Sequence, residues 1–203
     1  MVTIDGEKMS KSLGNIKSVK NLLKNWSPNV IRLFCIAAHY SKPIDYSEEL
    51  LNEHETNWNK ARLAYYKLIQ TEKEGEGIEE IDEKLTHLKE EFSNALEENL
   101  NTHMALSAFY RLVTFCFGNE EHLTKSVAQK IIPIFEEMMN VLGLKIDKVS
   151  EEEKIQIQNL IKQREKFREQ KMYEEADGIR DKLDAKGIKL KDEIHQTIWM
   201  KKE

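Results

Sequence analysis

Cysteine is nearly missing from this chain: Cys35 and Cys116 are the only two among 203 residues. There is no Cys-x-x-Cys pair and no even-numbered framework of closely spaced cysteines, which excludes a disulfide-stapled secreted scaffold. The same scarcity argues against a metal site within the chain, and none is expected. Each cysteine lies inside an apolar helical pattern. Both are therefore expected to pack in the core of a protein from a reducing, cytoplasmic compartment. Long apolar runs are missing as well, and nothing approaches the ~20 residues of a membrane span. The first residues have no apolar stretch of the kind a secretory leader carries.

A surplus of positive charge is also lacking. Against 31 Lys and Arg stand 36 Asp and Glu, for a net charge of −5, which argues against a protein that simply coats nucleic acid. The charge is uneven along the chain. Residues 1–50 carry seven basic and five acidic side chains, residues 51–100 six and thirteen, and the remainder is balanced. Any RNA must be held by local basic clusters, with the acidic second quarter facing solvent.

What is present is helical periodicity. The chain opens with β-prone Val2-Thr3-Ile4 and an Asp5-Gly6 turn, as a strand end. Ser18 caps a short helix with Val19, Leu22, Leu23 and Trp26 apolar. Ser27-Pro28 starts another, with serine as N-cap and proline at the first helical position. Its apolar face reads Ile31, Phe34, Cys35 and Ala38, and it ends before Pro43. Four long amphipathic segments follow. The first runs from Ser47 through Leu51, Trp58, Ala61, Tyr65 and Leu68 to a loop at Glu74-Gly75-Glu76-Gly77. The second opens at Asp82 and carries Leu85, Leu88, Phe92, Leu96 and Leu100. The third, capped by Thr102, carries Ala105, Ala108, Phe109, Leu112 and Cys116. The fourth carries Ile131, Phe135, Met138 and Leu142, with Pro133 predicting a kink and Gly143 a C-terminal stop.

This spacing predicts a mainly α fold: an antiparallel helical bundle over 47–147, preceded by loop and connecting helices in 1–46. A small α+β tail occupies 148–203. Ser150-Glu151-Glu152-Glu153 is a capping box. The helix it opens carries Ile157, Leu160, Ile161 and Phe167, and a basic cluster near its end. A second helix places Ala176, Ile179 and Leu183 inward and stops at Gly187. Alternation in Ile188-Lys189-Leu190 and Thr197-Ile198-Trp199 suggests a terminal hairpin.

One stretch carries chemistry. Lys8-Met9-Ser10-Lys11-Ser12-Leu13-Gly14-Asn15 packs two compact ammonium groups, two hydroxyls and a glycine just ahead of an amphipathic segment. Backbone N–H groups in such a loop can form a nest for phosphate oxygens. On composition alone it is a solvated turn. In order, however, Lys-Met-Ser-Lys-Ser followed by Leu-Gly-Asn resembles the signature loop of class I aminoacyl-tRNA synthetases. The resemblance implies ATP as substrate, bound by Lys8, Met9, Ser10, Lys11 and Ser12. It makes Lys11 the catalytic cation that holds the phosphates as charge develops on pyrophosphate, with Lys8 in support and Gly6 and Gly14 as hinges.

Further along, Arg32-Leu33-Phe34, His39-Tyr40-Ser41-Lys42-Pro43-Ile44 and Tyr46-Ser47-Glu48-Glu49 are similar to the segment after that loop in cysteinyl-tRNA synthetases. His39 itself reads first as a structural histidine favoured by a helix C-terminus. Asn94-Ala95-Leu96-Glu97-Glu98-Asn99-Leu100-Asn101-Thr102 resembles the family's Ala-Met-Asp-Asp-Asp-Phe-Asn-Thr. The Asn-Thr pair is kept, and the acidic trio becomes Glu97-Glu98-Asn99. Val141-Leu142-Gly143-Leu144 is similar to the end of the same domain. Tyr173 to Leu183, then Gly187-Ile188 and Thr197-x-Trp199, resembles the C-terminal tail that other class I synthetases lack.

The resemblance implies part of a cysteine–tRNA ligase. Residues 1–46 would be the end of the catalytic domain, 47–147 a tRNA-binding bundle of the class I anticodon-binding type, and 148–203 a small anticodon-binding domain. The nucleotide-binding half, with its His-x-Gly-His signature and its zinc ligands, would precede residue 1, so the chain alone is expected to be inactive. The implied partners are tRNA(Cys) and ATP, without a membrane, and the full enzyme is expected to be monomeric. Arg164, Arg168, Arg180 and Trp199 are candidate RNA contacts, although for any one of them a solvated helix face, or packing of the hairpin by Trp199, is the plainer reading. Two alternatives stay open: a non-catalytic tRNA-binding module, and a related cysteine ligase acting on a sugar-amine.

Overall fold

The computed structural model describes residues 2–4, 6–75, 77–193 and 196–203. The expected loop at Glu74–Gly77 falls partly outside them. Helices dominate, and the chain divides into two compact units, residues 1–145 and 146–203.

The larger unit begins with a small sheet. Strand β1 (Val2–Ile4) pairs antiparallel with β2 (Glu7–Lys8), and β3 (Ile44–Tyr46) runs parallel to β1 on its other side, Thr3 facing Asp45. Strand β3 was not expected from the sequence. Its three residues are too few to show a period, and its partner lies some forty positions earlier. Between these strands come α1 (Val19–Leu22), capped by the Ser18 side chain, and α2 (Pro28–Ile36), capped by Ser27 with Pro28 at its first position.

Helix α2 buries Val30, Ile31, Leu33 and Phe34. Cys35, expected in that core, is exposed instead. The apolar stripe is rotated toward Val30 and Leu33, and Cys35 follows Phe34 on the solvent side. Cys116 does lie in the core, where burial pushes its thiol up to about 12.

Helices α3 (Glu48–Gln70), α4 (Ile81–Glu97), α5 (Thr102–Gly118) and α6 (Lys125–Leu142) form the bundle, with a short 3₁₀ turn at Glu120–His122. Its centre is Leu51, Trp58, Leu68, Phe109, Leu112, Ile131, Phe135 and Met138, all almost wholly buried. Phe109 and Phe135 meet edge to face with centroids 5.1 Å apart. Such contacts add about 1 kcal/mol to the burial of the rings themselves.

Two boundaries differ from the sequence reading. Helix α4 starts at Ile81 and ends at Glu97, so Leu100, expected as an inward position, is 63% exposed. Asn99 and Leu100 both take left-handed backbone, φ 58° and 50°, and the chain turns sharply there. The cap of α5 is Asn101 rather than Thr102, because the Asn101 carboxamide accepts from the Met104 N–H.

Pro133 lies inside α6 on its exposed side, where a missing backbone donor is least costly. At the end of α6 the Leu144 N–H reaches the Met139 carbonyl and the Gly143 N–H reaches that of Asn140, a Schellman closure. Gly143 takes φ 70°, which glycine adopts without strain, and a Cβ there would only push aside the flexible Arg32 guanidinium, whose Nη1 lies 2.9 Å away.

The smaller unit is a helix hairpin with a β-hairpin. Helix α7 (Glu151–Glu169) opens with the capping box, both halves of which form between Ser150 and Glu153. Helix α8 (Tyr173–Ala185) follows after a turn through Lys171. Strands β4 (Ile188–Asp192) and β5 (Thr197–Lys201) pair antiparallel with Asp192 opposite Thr197. Ile157, Ile161, Ala176, Ile179, Leu183, Ile188, Ile198 and Trp199 are its core.

Candidate functional site

The Lys8–Asn15 loop leaves the end of β2 and is anchored where the Met9 N–H donates to the Val2 carbonyl at 3.2 Å. Gly6 and Gly14, the expected hinges, have φ of 78° and 65°, and neither would meet an atom within 4 Å if it carried a side chain. Their requirement is conformational, not spatial. Residues 11–14 are exposed, whereas Met9, Ser10 and Asn15 are half-buried.

Short-range bonds shape the loop. The Gly14 N–H donates to the Lys11 carbonyl at 3.2 Å and the Leu13 N–H to Ser10 Oγ at 3.4 Å. Ser10 Oγ and Ser12 Oγ are 3.2 Å apart. Asn15 Oδ1 accepts from the Ser10 N–H at 2.8 Å, and Asn15 Nδ2 donates to the Lys8 carbonyl at 3.4 Å. Among the described residues, neither Lys8 nor Lys11 has an ion-pair partner.

Beneath the loop, the short sheet is tied by a carboxylate. Asp45 Oδ1 accepts from Thr3 Oγ1 at 2.6 Å and from the Gly6 N–H at 3.2 Å. The Thr3 hydroxyl first, and then the Gly6 N–H, hold its carboxyl below the usual range. Asp45 and Asn15 were missed in the sequence. Asp45 pairs across some forty residues, but Asn15 stood inside the quoted motif, where a short polar side chain closing a turn is a readable signal.

The four tail candidates converge differently. Arg164 makes a bidentate pair with Asp192, Nη1 to Oδ1 and Nη2 to Oδ2, both at 2.8 Å. Arg180 Nη2 reaches Asp192 Oδ2 at 2.9 Å and Arg168 Nη1 reaches it at 3.3 Å. Thr197 Oγ1 donates to Oδ1 at 3.0 Å. Hydrogen bonding from Arg164, ahead of the other contacts, lowers the Asp192 carboxyl to about 2, against some desolvation. Arg164 is only 2% exposed and Trp199 1%, so both belong to the interior of the unit. Arg168 and Arg180 keep about half of their side-chain surface in water, as does Tyr173 at the start of α8.

His39 stacks on Tyr40 with ring centroids 4.5 Å apart, and its Nδ1 lies 2.7 Å from Ser41 Oγ. The Tyr40 hydroxyl donates to Asn99 Oδ1 at 2.7 Å. Thus Asn99, at the last position of the altered acidic trio, holds the segment entering β3. Among the described residues no group of three or more His, Cys, Asp or Glu could hold a metal ion, and no helix is long and apolar enough to cross a membrane.

Residues 1–56 match the family described as tRNA synthetases class I (C) catalytic domain. Beyond them, likeness to cysteine–tRNA ligases extends over nearly the whole chain. The protein of that name from Exiguobacterium sp. is 32% identical over 204 residues, covering 98% of this chain. That from Bacillus velezensis is 33% identical over 210 residues and that from Anoxybacillus flavithermus 34% over 206. The chain is thus similar, over nearly its whole length, to one part of the class I cysteine–tRNA ligases. It spans 44% of the length of each of these three relatives and corresponds to a C-terminal part of them.

Proposed function

We propose that this chain serves as the loop-bearing and RNA-docking part of a cysteine–tRNA ligase, which activates cysteine with ATP and joins it to tRNA(Cys). In this reading residues 1–46 end the catalytic domain, 47–147 form the tRNA-binding bundle and 148–203 the anticodon-binding unit. The protein works in the cytoplasm. The observation that carries the reading is the run of likeness from the lysine-rich loop through to Trp199.

Lys11 is the proposed catalytic residue. Its ammonium stands on an exposed tip between two positive-φ glycines, with no ion-pair partner among the described residues. It can approach a triphosphate and neutralise charge that develops on the leaving pyrophosphate. A preplaced cation acting on charge that appears mainly in the transition state raises the rate more than the affinity. Lys8 assists, and Met9, Ser10 and Ser12 line the same loop. Lys11→Ala in the complete enzyme is expected to slow cysteine-dependent ATP–pyrophosphate exchange about 100- to 1000-fold, with little change in the Michaelis constant for ATP. If only that Michaelis constant rose, Lys11 would merely bind ground-state ATP.

For RNA, Arg168, Arg180 and the exposed ring of Tyr173 supply guanidinium and aromatic planes suited to unstacked loop bases. Arg164 acts behind them, fixing Asp192, and Trp199 holds the hairpin. The chain by itself is proposed not to activate cysteine, because a lone loop lacks the orientation that supplies ~7–11 kcal/mol in such reactions. Robust pyrophosphate exchange by the purified 203-residue chain would overturn that statement.

A further inference from the structure

Asn15 sits where the Lys8–Asn15 loop closes, half-buried beneath an exposed tip. Its carboxamide spans the two limbs of the loop. Oδ1 takes the Ser10 N–H at 2.8 Å while Nδ2 gives a hydrogen to the Lys8 carbonyl at 3.4 Å. The tip is then left with the Lys11 and Ser12 N–H groups uncommitted among the described residues. Both ammonium groups belong to this clasped segment.

We propose that Asn15 is the positioning residue of the loop. By clasping Lys8 and Ser10 it holds the Lys8 and Lys11 ammonium groups and the open N–H groups of Lys11 and Ser12 ready to receive pyrophosphate oxygens together. The inference deepens the reading of the loop as an anion-closing element and rests on it. The physical reason is entropy: a loop tethered only at its ends would spread Lys11 over many backbone states, all of which must be lost on binding. A carboxamide suits the task because one short stem carries both an acceptor and a donor. Aspartate at this position would keep the acceptor, lose the donor, and turn a negative charge toward the incoming phosphates.

The test uses the 203-residue chain. Brief native trypsin digestion read by mass spectrometry gives the cleavage rates after Lys8 and Lys11, with and without inorganic pyrophosphate. Asn15→Ala is expected to raise both rates about fivefold, the factor that loss of one net hydrogen bond supplies. It should raise the pyrophosphate concentration for half-protection by a similar factor. The unfolding midpoint should stay unchanged. Asn15→Asp should cleave at an intermediate rate yet need more pyrophosphate than Asn15→Ala. Unchanged cleavage in both variants would overturn the proposal, as would a lowered midpoint with faster cleavage throughout the chain, since Asn15 would then support the fold as a whole. Absence of pyrophosphate protection in the parent chain would instead sink the anion-binding reading, leaving the clasp to be judged on cleavage rates.

Discussion

The loop and the tail each gather positive charge, and they treat it in opposite ways. In the loop, Lys8 and Lys11 are exposed and, among the described residues, without an ion-pair partner, in a segment shaped by short-range bonds from the backbone and from the Ser10 and Asn15 side chains. In the tail, three arginines close on one carboxylate, and the most buried of them, Arg164, is bound at both of its terminal nitrogens. A cation without a partner is available to a ligand. One chelated in a part-buried pair is occupied with structure, and its removal leaves an uncompensated charge behind. Basic residue types in a sequence do not distinguish these cases.

Four experiments sharpen or break that contrast, beginning with the largest effect. Asp192→Ala should destabilise residues 146–203 by about 3 kcal/mol, because Arg164 stays buried without its counter-charge. Trp199 is the only tryptophan of that unit, so urea unfolding followed by its fluorescence in a Trp26→Phe, Trp58→Phe background reads the loss directly. No change would mean that the cluster is incidental. Lys11→Ala, by comparison, should leave the urea midpoint untouched.

Acid provides the second test. The Asp192 carboxyl is lowered from 3.8 to about 2, so its stabilising contribution is complete above pH 3.8 and is lost as pH falls toward 2. After allowance for its partial exposure, that amounts to about 1–2 kcal/mol. The loss should vanish in Asp192→Asn, and an identical acid transition in that variant would refute the linkage.

His54 offers a weaker and opposite-placed transition. It is buried on α3 against the edge of Phe34, and desolvation lowers its imidazole below 6.5. Because the unfolded chain binds the proton more readily, stability is complete above pH 6.5 and declines below it. His54→Gln should flatten the stability of residues 1–145 between pH 6.5 and 5, measured by thermal unfolding followed by circular dichroism.

The smallest stability effect belongs to the outer arginines. Arg168→Ala and Arg180→Ala should each cost only about 0.2–1 kcal/mol, as half-exposed ion pairs do. Each is nevertheless expected to weaken tRNA binding severalfold in a filter assay at fixed salt, and to reduce the slope of affinity against salt. Stability losses as large as that of Asp192→Ala would make them structural, like Arg164.

Some of this molecule is written locally and some is not. The serines at 18, 27, 47 and 150, Pro28 and Gly143 name their own positions, because a cap or a C-terminal stop depends on atoms within five residues. Helical stripes such as Leu51, Trp58, Tyr65 and Leu68 are equally legible, since a period of 3.6 states which face is apolar. The loop was readable from its ordered lysines, serines and glycine. The tertiary structure alone placed β3 beside β1, turned Cys35 outward and drew Arg164 to Asp192. Each of these rests on partners tens of residues away or on which part of a broad apolar face meets its neighbour. Spacing along a chain carries no information about either, because a charge or a thiol becomes buried or free only when a distant segment arrives beside it.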